Sequence, residues 1–448
     1  MRWDARRCPT NIKSVFSNVV IEIKLKKSGP KVIAALATLA LSSLLAVLAL
    51  TEVIGGLLTD ERTRAEKALL FSGLKYVPKS AQLRARAASA EMRSEDRDLS
   101  AAEANARLAV NMAPWDYNHR LLLAAIEEAK GDRAAAEAEL LEALRLAPNN
   151  TVVHWRLANV LVRQGKLGKS LSAFRAANAS SSALLPSSLD LVWKVSGGNL
   201  SAVQAITPDD AKSKIFLTQF LIQQSRAAEA AGIFSSIDST ERLAQSESGS
   251  IIGALIAGGH AELARFLWAD TVSQGEAKRQ IDALIWNGGF ETDIIDNFAQ
   301  FDWTIGQSPY ATSNVNREVA HNGARSLRLD FIGRDTTRLD DEISQKLLVR
   351  PGAAYKLEFF VRTEGLVTPE GPRVVVSDSK SSPAIAASEP VPAGSNDWRR
   401  QSISFVAPAT SRLMSVAIRR IPRFSYDDPT KGTIWFDDFT LTELGKAQ

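Results

Sequence analysis

Four histidines, His119, His154, His260 and His321, are the side chains most able to carry acid–base or metal chemistry near neutral pH. They fall in separate stretches and lack the H-x-x-x-H spacing that sets two imidazoles on one helix face for zinc. No glycine-rich phosphate loop and no G-x-S-x-G elbow occurs. The one cysteine, Cys8, lies in the N-terminal tail, so no intramolecular disulfide forms. The acidic runs LDDE (Leu339–Glu342) and YDDP (Tyr426–Pro429) read as solvated turns, and no strand carries the closely spaced carboxylates of a glycosidase. The expectation is a chain that binds and does not catalyse.

At 448 residues the chain is too long for one core. Its formal net charge of +4 is concentrated in residues 1–31, where eight basic side chains stand against Asp4 and Glu22 and leave about −2 for the remainder. That balance speaks against nucleic acid as a partner. Residues 32–51, VIAALATLALSSLLAVLALT, are 20 residues without a charge, which as a helix reach about 30 Å and match a bilayer core. The basic flank predicts a signal anchor with residues 1–31 in the cytoplasm and everything after Glu52 on the far side. For a bacterium this means a single span of the inner membrane and a periplasmic or otherwise extracytoplasmic bulk.

The elements that follow are alanine-rich and helical in period. Pro114 and Pro148 stand 34 residues apart, and the same offset joins Leu123 to Leu157, Ala124 to Ala158, Gly131 to Gly165, Leu140 to Phe174 and Ala143 to Ala177. Ala90, Ala102, Ala106 and Ala109 fall in the same register one repeat earlier. Small residues let paired helices approach, bulky ones fill the seam, and glycine accommodates the turn; such hairpins bury their apolar faces only by stacking. The pattern resembles the tetratricopeptide repeat and degrades beyond Ser182, with turns expected at Gly197-Gly198 and Gly258-Gly259 and a helix cut short by Pro208. Five or six hairpins are expected over 62–275. The resemblance implies a concave face lined by Trp155, Asn159 and Arg163 that holds a peptide or partner subunit, with Asn159 matching one member of a carboxylate clamp.

From Ile285 the hydrophobic period changes to two. SLRLDF (Ser326–Phe331), YKLEFFV (Tyr355–Val361), ISFVAP (Ile403–Pro408), MSVAIRR (Met414–Arg420) and IWFDDFTL (Ile434–Leu441) read as half-buried strands of a β-sandwich. If Trp435, Phe439 and Leu441 face inward, so does Asp437, which then needs a cation or donors such as Arg325 or Arg328.

Asn287–Glu291 (NGGFE), Trp303, the run His321, Gly323, Ser326, Leu327 and Leu329, the turn Pro351-Gly352 before Tyr355 and Phe359, then Trp398, Phe405, Pro408 and IWFDDFTL occur in an order that resembles carbohydrate-binding modules with a galactose-binding-like jelly roll, of the kind attached to xylanases and glucanases. The resemblance implies core positions for Trp303 and Trp398. It also implies a structural calcium held by Glu291 with Asp437 or Asp438. Sugars stack on exposed rings, and the rings outside the scaffold motifs are Tyr310, Phe424 and Tyr426.

The fold expected is one transmembrane helix, then an α-helical tetratricopeptide-repeat superhelix, then an antiparallel β-sandwich (jelly roll) over 284–445. The function expected is a membrane-anchored binding scaffold for a protein partner and a polysaccharide, serving exopolysaccharide or other cell-surface glycan assembly or export. The rival is a purely structural interaction scaffold whose sandwich docks protein.

Overall fold

The computed structural model describes residues 29–59, 67–273, 283–378 and 383–446. The expectations for residues 1–28, Cys8 included, lie outside them. Helix α1 (Gly29–Thr59) contains a stretch, Ile33–Val53, with mean hydropathy 2.4 and none of it buried, long and apolar enough to cross a membrane. Its few hydroxyls turn back on the helix: Thr38 donates to the carbonyl of Ala35 at 2.9 Å, Ser43 to that of Leu39 at 2.8 Å and Thr51 to that of Leu48 at 2.7 Å. Polar side chains satisfied in this way do not oppose an apolar surrounding.

The chain divides into two compact units, residues 1–148 and 149–448. In the first, α2 (Lys67–Tyr76) precedes two hairpins, α3 (Ala81–Arg93) with α4 (Leu99–Met112) and α5 (Tyr117–Lys130) with α6 (Arg133–Leu146). Ser80, Asp98, Asp116 and Asp132 cap the four hairpin helices by accepting amide N–H bonds of the first turn. Ala88, Ala102 and Ala106 are fully buried and bring backbones together, while Leu123 and Ile126 fill the remaining space. Arg107 joins the helices as an ion pair to Glu103 and Glu127, both at 2.6 Å.

The second unit begins with the hairpins α7 (Thr151–Arg163) with α8 (Leu167–Ser180), α9 (Leu185–Val195) with α10 (Leu200–Ile206), and α11 (Ala211–Gln223) with α12 (Ala227–Ser235). A short α13 (Ser239–Ala244) leads to α14 (Ser248–Ala257) and α15 (Ala261–Val272). With the two hairpins of the first unit these make six among the described residues, in line with the repeat reading. Gly131, Gly165 and Gly259 turn their hairpins at φ of 89°, 74° and 83°, and Ser225 takes the same place at φ 60°. The missing glycine of the fifth hairpin is therefore replaced by a strained serine. Where Ser182 stands in place of the expected proline, buried Asn178 ties three helices by donating to Ser188 Oγ and to the carbonyl of Ile206, both at 2.9 Å.

The sandwich follows. Its strands are β1 (Thr304–Ile305), β2 (Ala311–Asn316), β3 (Ser326–Ile332), β4 (Ile343–Leu348), β5 (Ala353–Val367), β6 (Arg373–Asp378), β7 (Ala384–Ala387), β8 (Gly394–Val406), β9 (Leu413–Arg419) and β10 (Lys431–Lys446). They form two five-stranded antiparallel sheets, β1-β4-β9-β6-β7 and β2-β3-β10-β5-β8. Leu327 and Leu329, Tyr355 to Val361 in alternation, and Ile403 and Phe405 meet in one core with Val374, Val416 and Ile418 of the facing sheet.

Alternation breaks in the middle of β10. Ile434 and Phe436 of β10 are core, so Trp435 points the other way; a register shift between Asp437 and Thr440, with Asp438 at φ 51°, then returns Phe439 and Leu441 to the core. A β-bulge of this kind resets the side-chain phase. Trp435 and Asp437 are thus on the outer face, contrary to the inward placement expected from unbroken alternation.

The first sheet is docked on the last helices. Trp268 of α15 lies edge-on to Trp286 at 5.0 Å and donates its indole N–H to the carbonyl of Phe298 at 2.5 Å. Gln345 of β4 exchanges bonds with the Trp286 backbone, and Gln300 donates to the carbonyl of Gly249 at 3.0 Å. One apolar cluster therefore joins Ile251, Leu255, Leu267 and Trp268 to Trp286, Phe298 and Phe301. Asp302 is buried beside it, and burial pushes its carboxyl up to about 7 although the Trp303 amide donates to it at 2.7 Å. Since the unfolded carboxyl titrates near ~4, the stability tied to this proton is complete below that pH and is lost as pH rises through the folded value. Asp302→Asn is expected to flatten the decline in melting temperature between about pH 4 and 7; an unchanged slope would remove Asp302 from the account.

Candidate functional site

The NGGFE segment staples the two ends of the sandwich and presents no free chemistry. Asn287 is buried and bonds both ways with the Thr292 backbone, at 2.9 and 3.0 Å. Trp303 donates to the carbonyl of Asn287 at 3.1 Å, and the Phe439 amide donates to that of Gly288 at 2.9 Å. A Cβ on Gly288 would stand 2.0 Å from the Phe439 carbonyl oxygen, which is why glycine is required there. Phe290, Trp303 and Phe439 pack ring against ring in the core, as expected for Trp303.

Glu291, Asp437 and Asp438 converge around Gly289, and part of their oxygens are already engaged. Glu291 Oε1 accepts the amides of Ala324 and Arg325 at 2.8 and 2.9 Å. Asp437, fully buried, accepts the amides of His321 and Asp438 at 2.8 and 2.7 Å, while Asp438 Oδ2 meets His321 Nδ1 at 2.6 Å. Burial still pushes the Asp437 carboxyl up to about 6. Among the described residues no three His, Cys, Asp or Glu side chains are arranged to hold a metal ion. Calcium takes six to eight oxygens; in this arrangement backbone amides hold Glu291 Oε1 and both oxygens of Asp437. Neither expected arginine reaches Asp437: Arg325 pairs with Asp293 at 2.5 Å and Arg328 with Asp330 at 2.8 Å.

The outer face of β2-β3-β10-β5-β8 carries the recognition-type side chains. Strand register sets Asn314, Arg328, Trp435 and Arg362 in one row across four strands, with Asp437, Phe360 and Arg400 in the next. The guanidinium carbons of Arg328 and Arg362 lie 5.6 and 5.5 Å from the Trp435 ring centre. Phe360 stacks on His321 at 3.7 Å, and Trp398 meets His321 edge-on at 5.6 Å. Trp398 is half-buried on this face and belongs to no core cluster, a correction to its expected place inside. The cause is its strand: β8 is an edge strand whose pairing with β5 shifts register between Val361 and Thr363, opposite Trp398. His321 and Trp398 fall on scaffold positions of the resemblance, Arg328 on an expected partner of Asp437, and Phe360 and Arg362 on no motif; a phase break at the Asp-Asp pair is the one signal in the sequence for this face.

Tyr310, Phe424 and Tyr426, the rings expected to meet sugar, lie elsewhere. The carbonyl of Tyr310 accepts the Ile332 amide at 3.2 Å, and the amide of Gly333 donates to Thr430, so Tyr310 shares one end of the sandwich with the loop 421–429. Phe424 and Tyr426 are 55 % and 73 % exposed on that loop. Fully buried Arg420 anchors it through an ion pair to Asp428, whose second oxygen accepts the amides of Arg423 and Phe424. Burial raises the Asp428 carboxyl, but the Arg420 bond and the two amides outweigh it and leave it below its ordinary value. In the helices, Trp155 packs edge-on to Phe174 at 5.4 Å, Asn159 donates to the Trp155 carbonyl at 2.8 Å, and Arg163 is exposed. The spacing of these three puts them on one face of α7. In the first unit a groove of about 570 Å³ between α3 and α5 is lined by Gln82, Arg86, Asp116 and His119.

No protein-family profile matches this sequence, and no curated protein matches it. Among solved structures, the crystal structure of MamA is similar over 35 % of this chain and 87 % of its own, at 16 % identity and a TM-score of 0.31. A thermophilic TPR protein of Thermus thermophilus is similar over 30 % of this chain and 70 % of its own, at 20 % identity and a TM-score of 0.25. A structure titled for CBM4 structure and function covers 36 % of this chain and 99 % of its own, at 16 % identity and a TM-score of 0.27. The helical region is similar to tetratricopeptide-repeat structures and the sandwich to a carbohydrate-binding module; likeness at this level concerns fold and leaves function to the side chains.

Proposed function

We propose that this chain is a non-catalytic binding scaffold, anchored by α1 in a bacterial inner membrane with its bulk on the periplasmic side, that holds a polysaccharide on the outer face of β2-β3-β10-β5-β8. The helical hairpins take a protein partner, and the whole assists assembly or export of exopolysaccharide or another cell-surface glycan. One observation carries the reading: the sheet containing β4 and β9 is spent on docking to α14 and α15, while the other keeps Trp398, His321 and Phe360 grouped on a polar, arginine-bearing face. Apolar sugar faces stack on such rings while hydroxyls find the polar side chains around them.

The test uses the full chain in mild detergent, run in affinity electrophoresis through the extracellular polysaccharide of its host. Retardation is expected, with millimolar to high-micromolar affinity, about −4 to −6 kcal/mol. Trp398→Ala should melt within about 1 kcal/mol of wild type, since its ring is outside the core, and should lose the retardation. If wild type runs unretarded and its sandwich instead captures a defined periplasmic or membrane protein, the interaction-scaffold reading replaces this one.

A further inference from the structure

The row of side chains crossing the open sheet carries a positive charge that nothing in the fold neutralises. Arg328, on one side of Trp435, is paired with Asp330 at 2.8 Å, and Asp330 also accepts from Thr433 at 2.7 Å. Arg362, on the other side, is half-buried against the same indole, and its side chain has no ion pair or hydrogen bond among the described residues. The nearby carboxylates do not pair with it: Glu358 Oε1 lies 3.0 Å from Lys356 and 3.5 Å from Arg400 without a directed hydrogen bond, and Glu364 is exposed. A second observation points the same way. Trp435 is only 3 % exposed, and its buried indole N–H has no acceptor. A buried donor beside an unpaired guanidinium is a place short of an anion.

We propose that this row selects acidic polysaccharide, with the carboxylate of a uronic acid residue held by the fork of Arg362 and the neighbouring sugar ring laid against Trp398 and His321. A guanidinium meets a carboxylate through two parallel N–H bonds, a geometry that neither a hydroxyl nor a point-charge ammonium matches. Glu358, Glu364 and Asp330 on the same face keep it from attracting every polyanion alike. The inference rests on the glycan reading and narrows it to a substrate class.

The experiment is calorimetric titration of the detergent-solubilised full chain with a galacturonate hexasaccharide, a neutral galactose hexasaccharide and a glutamate hexapeptide, at low and high salt. The uronate oligosaccharide is expected to bind at least about tenfold more tightly than the neutral one, the size of one charge-assisted contact, with an advantage that shrinks as salt rises. Arg362→Gln should bring the ratio of the two affinities near one, and Arg362→Lys should restore only part of it. Should Arg362→Gln fail to fold, the wild-type ratio and its salt dependence decide alone. Equal binding of both sugars by wild type overturns this inference and leaves the glycan reading standing. Binding of the glutamate peptide as tightly as the uronate also overturns it, as an unselective anion patch. Binding of neither sugar removes both readings.

Discussion

Trp268→Ala is expected to destabilise the chain by about 3–5 kcal/mol and to loosen the sandwich and the last helical hairpin together. The ring is fully buried, edge-on to Trp286 at 5.0 Å and to Phe301 at 5.7 Å, and the Arg265 guanidinium lies over it at 4.8 Å. Its removal leaves a cavity walled by both elements and strips the Phe298 carbonyl of its donor. Trp268→Phe keeps most of the apolar area and loses the N–H, so a smaller cost of about 1–3 kcal/mol is expected from the unsatisfied carbonyl. Urea unfolding followed separately through a helical signal and through near-ultraviolet tryptophan signals is the measurement. The two probes should shift together in Trp268→Ala. A shift confined to the sandwich, or a cost below about 1 kcal/mol, would mean that α15 and the sandwich are not one cooperative structure.

That junction shows where sequence reading stops. Repeats and strands were legible because each obeys a local period: alanines 34 residues apart fixed the hairpins, and Leu327, Leu329, Tyr355 and Phe359 announced the sandwich core. Ser225 stands where other hairpins carry a turn glycine, and its left-handed backbone has no signature in the spacing. The junction has no period. Trp268, Trp286, Phe298 and Phe301 come from two segments that look like a helix face and a strand entry, and only the fold brings them together. The binding face was lost for a related reason. Period-two logic assumes an unbroken phase, but Trp435 points outward between core Ile434 and Phe436, and the bulge after Asp437 returns Phe439 inward. Trp398 was assigned to packing by resemblance; its edge strand and local register shift put it half in solvent instead. Asp437 was legible as a carboxylate needing partners, but amides from a segment more than a hundred residues away supply them, and no spacing rule reaches that far.

Asp428→Ala is expected to cost about 3–5 kcal/mol, because it leaves Arg420, 1 % exposed, as a buried charge without its counterion. Arg420 has other partners, donating to Thr430 Oγ1 at 3.1 Å and to the carbonyl of Thr337 at 3.2 Å, but neither carries charge. A double variant, Arg420→Met with Asp428→Leu, removes both charges and should recover most of the loss, since a buried pair seldom exceeds an apolar substitute in stability. The loop will not recover with it. Asp428 also accepts the amides of Arg423 and Phe424, so the double variant should remain stable yet be cut by protease within 421–427. In the wild type the lowered Asp428 carboxyl gives stability that is present above about pH 4 and is lost as pH falls through its folded value; the double variant should lack that acid-side loss. The same variant separates two sets of rings. It frees Phe424 and Tyr426 from their fixed loop while leaving Trp398, His321 and Phe360 on their sheet. Polysaccharide retardation that survives in the double variant and vanishes in Trp398→Ala places binding on the sheet, and the opposite pattern returns it to the loop.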